Sequence, residues 1–358
     1  MDSAQPQLRN SATLNEIMSQ PQAWQKTLQD CDSSPVIETI LKQTRGRTAW
    51  LFVGCGTSYY LAEVAAASWS LQTGQRTFAL PASEVMLFPD ASLLRSTGLQ
   101  AVVISRSGRT SEALLACDLF RKKFKIPTLG ITCTTGTPLE EASDLCLAVR
   151  AADEQSTVMT RSFTSMLLSL QYLAARLSGD ARFSASLNGM AIHCASVIGS
   201  LAERVEEFVE QHTFSNYVFL GQGPFHGIAR EGALKVTEMS CSYGQPYHTL
   251  EFRHGPKATV TRDTCLTFLL SQSGNDAERR VLTDMKELGG TIIAVCHRAN
   301  PEIRRNSDFV FELDAELPEP AMLAPFVVPS QLLGFYTGIK KGLTPDRPRN
   351  LSRVVILD

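Results

Sequence analysis

From residue 49 onward, short apolar runs alternate with stretches of helical periodicity. Ala49–Val53, Thr77–Leu80, Ala101–Ile104, Thr128–Thr132 and Leu145–Val149 read as strands buried on both faces. Between them fall an alanine-rich helix through about Leu71, a helix around Ser83–Phe88, one running to Phe124 and a short one from Pro138. This alternation predicts a parallel sheet with helices on both faces. Ahead of it, Leu14–Leu28, interrupted by Pro21, predicts one or two helical pieces packed on the body with Trp24 as anchor. Residues 162–178 and 186–211 carry long helical patterns with no strand between them, which marks a boundary.

Beyond that boundary the pattern repeats. Gly54-Cys-Gly-Thr-Ser, directly after an apolar strand, has its counterpart in Gly221-Gln-Gly-Pro-Phe after Val218–Leu220. Ser105-Arg-Ser-Gly108 is matched by Ser271-Gln-Ser-Gly274 after Thr267–Leu270, and Ser143-Asp144 by Ser307-Asp308. Matches in the same order at nearly constant offset indicate a duplicated unit. The fold class is therefore α/β, with two tandem α/β/α domains: an N-terminal helical segment at 1–34, domains at 35–180 and 205–343, and a C-terminal tail at 344–358 that closes the site.

Residues 105–110, Ser-Arg-Ser-Gly-Arg-Thr, carry the first candidate chemistry. The turn leaves a buried strand and opens into a helix, so backbone N–H groups, the helix dipole and short hydroxyls can converge on an anion. A serine-rich capped turn fits the same residues. In the second copy the position of Thr110 is held by Asp276, whose charge would repel a phosphate, so the first copy is expected to carry the anion site. Gly54–Ser58 also follows a strand's carboxyl end, where open parallel sheets bind ligands, and Ser58 is placed to share that crevice.

Composition narrows the rest. The 358 residues are 44% hydrophobic with net charge −2, enough for about two domains. There is no basic excess to suggest nucleic acid, no apolar run of membrane-spanning length, and no export signal, so a cytoplasmic protein is expected. Nine cysteines lack metal spacing, and Cys117, Cys133, Cys265 and Cys296 sit in apolar runs, as reduced core thiols do. In the second half, Glu231, Lys235 and Glu238 are spaced i, i+4, i+7 on one helical stripe. That spacing fits a solvated Glu–Lys face as well as an acid–base group.

Taken together, the Gly54–Ser58 loop, the Ser105–Thr110 turn, Glu231-Gly-Ala-Leu-Lys-Val-Thr-Glu238, His254-Gly-Pro256 and Asp346-Arg-Pro-Arg-Asn-Leu351 resemble the sugar isomerase (SIS) domain family. The likeness is to the isomerase half of glucosamine-6-phosphate synthase and its stand-alone relatives, and it covers about residues 35–358. It implies two flavodoxin-like domains and a sugar 6-phosphate as ligand, with neither metal nor cofactor. It also implies a homodimer whose sites are completed across the interface. By the same resemblance Glu238 moves the proton between the first two sugar carbons, His254 of the neighbouring subunit opens the ring, and Lys235 belongs with them. The implied phosphate- and sugar-binding residues are Cys55, Gly56, Thr57, Ser58, Ser105, Arg106, Ser107, Thr110, Thr160, Glu231 and Arg353.

Departures from the family shape the expected activity. Arg353 stands where the synthase has an imine-forming lysine, and a guanidinium cannot form an imine. Arg106 replaces a glutamine, and Met159-Thr160-Arg161 stands where Ser-Thr-Lys is common. Asp2 is not the cysteine nucleophile of a glutaminase, so glutamine-dependent synthesis is not expected. Three activities fit: isomerisation with deamination of an amino-hexose 6-phosphate or cleavage of a ketosamine 6-phosphate, plain aldose–ketose isomerisation, or phosphosugar sensing without catalysis.

Overall fold

The computed structural model describes residues 11–93 and 98–357; Asp2 lies outside them. The described chain forms two compact units. The first comprises Gln20–Glu154, Arg161–Ala191 and the residues from Ser352 onward; the second comprises the described residues to Ser19, Gln155–Thr160 and Ile192–Leu351. The N-terminal stretch and the tail are thus each divided between the units.

In the first unit a parallel sheet is built from β1 (Ala49–Gly54), β2 (Arg76–Pro81), β3 (Leu99–Ile104), β4 (Thr128–Thr132) and β5 (Leu145–Ala148), in the order β2-β1-β3-β4-β5. Side-chain alternation along β1 sorts the two faces. Ala49, Leu51 and Val53 pack with Ala82, Val85, Ala113 and Phe120 from the helices Ala82–Leu87 and Ser111–Asp118 and the π-helical turn Leu119–Phe124. Trp50 and Phe52 point the other way, onto Trp69 of the helix Thr57–Thr73, at ring separations of 4.4 and 5.4 Å. The helix Arg161–Ser178 lies against Thr57–Thr73, with Gln171 donating to Ser68 Oγ at 2.9 Å. Trp24 is fully buried in this unit, and its indole N–H donates to Thr164 Oγ1 at 2.7 Å.

The second unit repeats the plan with β6 (Asn216–Gly221), β7 (Gly244–His248), β8 (Thr264–Leu270), β9 (Thr291–Cys296) and β10 (Phe309–Glu312), in the order β10-β9-β8-β6-β7. In each sheet the chain's first strand lies at the point where strand order reverses. Val218 and Leu220 join Phe252 and the helix Asn275–Glu287 in one core layer. Phe219, between them, faces the helices Pro224–Ser240 and Val328–Lys340, where the position a Cβ would take on Gly232 lies 3.0 Å from Phe219 and 2.9 Å from Ser330.

The 186–211 pattern is two helices, Ala181–Val197 and Leu201–Gln211. No single described helix is long and apolar enough to cross a membrane.

Candidate functional site

The anion turn follows β3 in the first unit. Ser105 is buried, and its hydroxyl lies 3.0 Å from Thr110 Oγ1. Ser107 Oγ accepts the Arg109 N–H at 3.2 Å. Thr110 occupies the N-cap of Ser111–Asp118 without a side-chain capping bond, so its hydroxyl is turned into the loop rather than spent on the helix. The Gly54–Thr57 loop ends the neighbouring strand β1, and Thr57 and Ser58 are buried there at the start of the helix Thr57–Thr73. The two loops therefore share the switch-point crevice of one sheet, as ligand loops do in doubly wound folds. Cys55 is no nucleophile in this setting, because burial, with Glu112 beside it, pushes its thiol up to about 12.

Arg106 does not face the turn. It is buried, and its Nη1 pairs with the buried Glu154 carboxylate at 3.3 Å. Arg353 holds Asp153 Oδ1 at 3.1 Å. Glu154 had no part in the sequence-based site; its link to Arg106 spans 48 residues, and no local pattern announces such a contact.

The equivalent turn of the second unit is already filled, and not for the expected reason. Asp276 is exposed and pairs with Arg279 at 2.6 Å. The donors go instead to Glu278 and Glu319. The Ser271 N–H and hydroxyl donate to Glu278 at 2.7 and 3.1 Å, the Gln272 N–H donates to Glu319, and Ser273 Oγ donates to Glu319 at 2.7 Å. Two protein carboxylates thus serve as this turn's anions, and burial pushes Glu278 up to about 7.

The charged stripe lies on the helix Pro224–Ser240, and the solvated-face reading fails for it. Lys235 and Glu231 are fully buried, and Lys235 Nζ sits 3.2 Å from Glu231 and 2.5 Å from Glu238. Burial works against the lysine's charge, but the two carboxylates outweigh it and the net direction is up. Lys235 is therefore an ammonium ion, not a free amine. Glu238, with 18% of its side chain exposed, opens onto a cavity of ≈ 140 Å³ lined also by Cys241, Thr344, Arg347 and Arg349.

The helix starts at the second sheet's carboxyl edge, and Glu238 lies near its other end. It begins after Gly223 and runs back until Thr237 Oγ1 accepts the N–H of Gly244, the first residue of β7. His254 is exposed, in the loop after β7, two residues beyond Phe252, which packs with Val218 and Leu220. Thr160 is buried, and its carbonyl accepts from Gln331 at 3.4 Å. Among the described residues no three His, Cys, Asp or Glu side chains gather as a metal site.

The pairing of two doubly wound sheets with a switch-point anion turn is matched by a family model described as the SIS domain, over residues 47–176 and again over 215–334. The chain belongs to the SIS domain family. Two curated SIS relatives are glutamine–fructose-6-phosphate aminotransferases (isomerizing), from Methanothermobacter thermautotrophicus, 27% identical, and Aquifex aeolicus, 28% identical. Each match covers 96% of this chain but 57% of the relative, so the chain spans little more than half of their length. A crystal structure of glucosamine-6-phosphate deaminase from Thermotoga maritima is 31% identical with a TM-score of 0.77, covering 97% of this chain and 100% of that one. Tagatose-6-phosphate ketose/aldose isomerase from Escherichia coli shares the fold at a TM-score of 0.86 and 22% identity, covering 98% of this chain and 97% of that one.

Proposed function

We propose that this SIS protein is a phosphosugar isomerase/deaminase acting on an amino-hexose 6-phosphate or a ketosamine 6-phosphate. The observation that carries the reading is the Glu231–Lys235–Glu238 group: a buried ammonium is paired with a partly exposed carboxylate at the mouth of a cavity. A protein that only sensed phosphosugars would have no use for such a base. The turn Ser105–Thr110, with Ser58, anchors the phosphate. Glu238 removes the proton from C2 of the ring-opened amino sugar, O1 is protonated to give an enolamine, and a proton returned to C1 leaves a C2 iminium. Water adds to that carbon and ammonia departs, leaving the ketose phosphate. An N-substituted ketosamine runs through the mirrored steps: the base takes the proton from C1, O2 is protonated to give the enolamine, a proton returned to C2 leaves a C1 iminium, and water adds there to release the amine and an aldose phosphate.

The nitrogen belongs to the substrate in this scheme. Arg353 cannot form an imine, and Lys235 is held as an ammonium ion by its two carboxylates. His254, exposed in the loop after β7, serves a neighbouring subunit's site in a homodimer. The test is a panel of hexosamine and ketosamine 6-phosphates followed by ammonia, amine and ketose or aldose release. Turnover should fall by about 10²–10⁴ in Glu238→Gln with little change in substrate binding. Full activity in that variant would sink the assignment.

A further inference from the structure

Arg106, in the turn after β3, and Arg353, in the C-terminal tail, are joined by the fold. Arg106 Nη2 donates to the Arg353 carbonyl at 3.3 Å, while Nη1 meets Glu154. The Arg353 guanidinium returns to the same place, donating to Asp153 Oδ1 at 3.1 Å and to the Glu154 carbonyl. The Glu154 carboxylate is fixed by the Ser162 N–H at 3.1 Å and the Ser162 hydroxyl at 2.5 Å. Two arginines separated by 247 residues thus close on one residue, Arg106 on the Glu154 carboxylate and Arg353 on the Glu154 backbone carbonyl.

From Arg353 the chain continues onto the helix that follows the anion turn. The Val355 carbonyl accepts the N–H of Ser111 at 3.3 Å, and the Leu357 N–H donates to Ser111 Oγ at 3.0 Å. Ser111 is the first residue of that helix, and its N–H is one of the donors a helix cannot satisfy internally. The strap Ser352–Leu357 therefore caps the helix whose N-terminal end begins at Thr110.

We infer that Arg106, Glu154 and Arg353 are one positioning assembly that fastens this C-terminal strap to the phosphate turn, so that strap order and phosphate affinity are coupled. This rests on the turn being the phosphate anchor. Arg353 acts through Arg106 and the strap backbone and touches no reacting atom. Arg106 is a buried guanidinium that faces the Glu154 carboxylate, and it holds the turn's second residue in place through that pair. Phosphate binding that tightens the turn must tighten the strap, and the converse holds by linkage.

The test is hydrogen exchange of the strap amides in the full chain, with and without inorganic phosphate, alongside calorimetric phosphate affinity. It compares the unmodified chain with Arg353→Ala, Arg106→Gln, the double variant and Arg353→Lys. Either single substitution should speed strap exchange and weaken phosphate binding by about ten-fold, inside the usual range of coupling between sites. The double variant should be no worse than the singles, and Arg353→Lys should recover part of the loss by meeting Asp153 alone. Because the Arg353 side chain is half-exposed, Arg353→Ala keeps the test open if the buried Arg106 variant fails to fold. Unchanged strap exchange in the single variants, or additive losses in the double, would overturn the assembly. A chain that binds no phosphate at all would refute the anchor reading and the coupling, whereas strap exchange measured without phosphate still decides whether the three residues fasten the strap.

Discussion

Lys235 is the residue on which the second unit's charge arrangement turns. Removing one partner of a buried ion group leaves uncompensated charge behind, at a typical cost of about 3–5 kcal/mol. Lys235→Met should therefore lower the unfolding free energy by that order in urea titration, and a loss below about 1 kcal/mol would show that the carboxylates find other partners. The same ammonium character predicts that borohydride reduction in the presence of substrate leaves no sugar adduct on Lys235 by mass spectrometry. Two further side chains set opposite pH responses. His226 stacks on His248 with ring centroids 3.7 Å apart, and burial, then His248 and Arg230, push it down to about 4 from 6.5. Between these values the unfolded chain binds more protons than the folded one, so stability falls as pH drops through that window. Glu278 works the other way: it keeps its proton up to about 7 in the folded state against 4.5 unfolded, so stability falls as pH rises from 4.5 to 7. Urea midpoints measured from pH 4 to 8 should lose the acid-side slope in His226→Gln and the neutral-side slope in Glu278→Gln. Unaltered slopes would mean that other groups carry the pH dependence.

The strand-to-helix turn after β1 recurs after β6, and its two glycines do different jobs. A Cβ on Gly54 would stand 2.4 Å from the Ser58 backbone, and one on Gly221 2.3 Å from the Phe225 carbonyl, so the first glycine admits the helix to the strand. Gly56 and Gly223 instead have open space around them but φ of +53° and +55°, which side chains resist. Gly56→Ala should cost about 1–3 kcal/mol from backbone strain alone. Gly54→Ala should cost at least as much and also displace the helix Thr57–Thr73, visible as weakened phosphate binding; equal affinity in both alanine variants would show that this helix does not position the anion site. Such turns are legible because glycine spacing is local, and the buried strands are legible because their apolar runs are continuous. Strand β7 (Gly-Gln-Pro-Tyr-His) escaped because it is a short edge strand without a continuous apolar run, and β10 (Phe-Val-Phe-Glu) because its apolar run is only three residues long on the opposite edge. The i, i+4, i+7 stripe could be read from spacing, but its burial could not. Glu154 on Arg106 and Glu319 on the second turn were hidden for a related reason: each joins residues more than 40 positions apart, where pairing is set by the packed sheet and not by the local pattern.

Duplication explains why one chain carries two nearly equivalent scaffolds with unequal chemistry. The shared skeleton extends to single contacts. Asp144 accepts from the N–H of Thr128 at the start of β4 and pairs with Arg121, and Asp308 accepts from the N–H of Ile292 at the start of β9 and pairs with Lys286. What diverged is the ligand side, where the first turn keeps its hydroxyls turned inward and the second is filled by Glu278 and Glu319. The proposed acid–base groups raise a question at the scale of the assembly: Glu238 sits near the end of the helix Pro224–Ser240, and His254 is exposed in the loop after β7. His254 is proposed to act in the site of a second copy, and such closed pairs are the commonest oligomers. Glu238→Gln and His254→Ala proteins, each inactive alone, should regain activity when refolded together, with about one site per hybrid dimer carrying both intact groups. The measurement needs hybrids separated by distinct affinity tags, so that the two-tag fraction is assayed alone. Activity restored in that fraction fits a site completed in trans; verified hybrids without activity would confine each site to one chain and remove His254 from the chemistry proposed for Glu238.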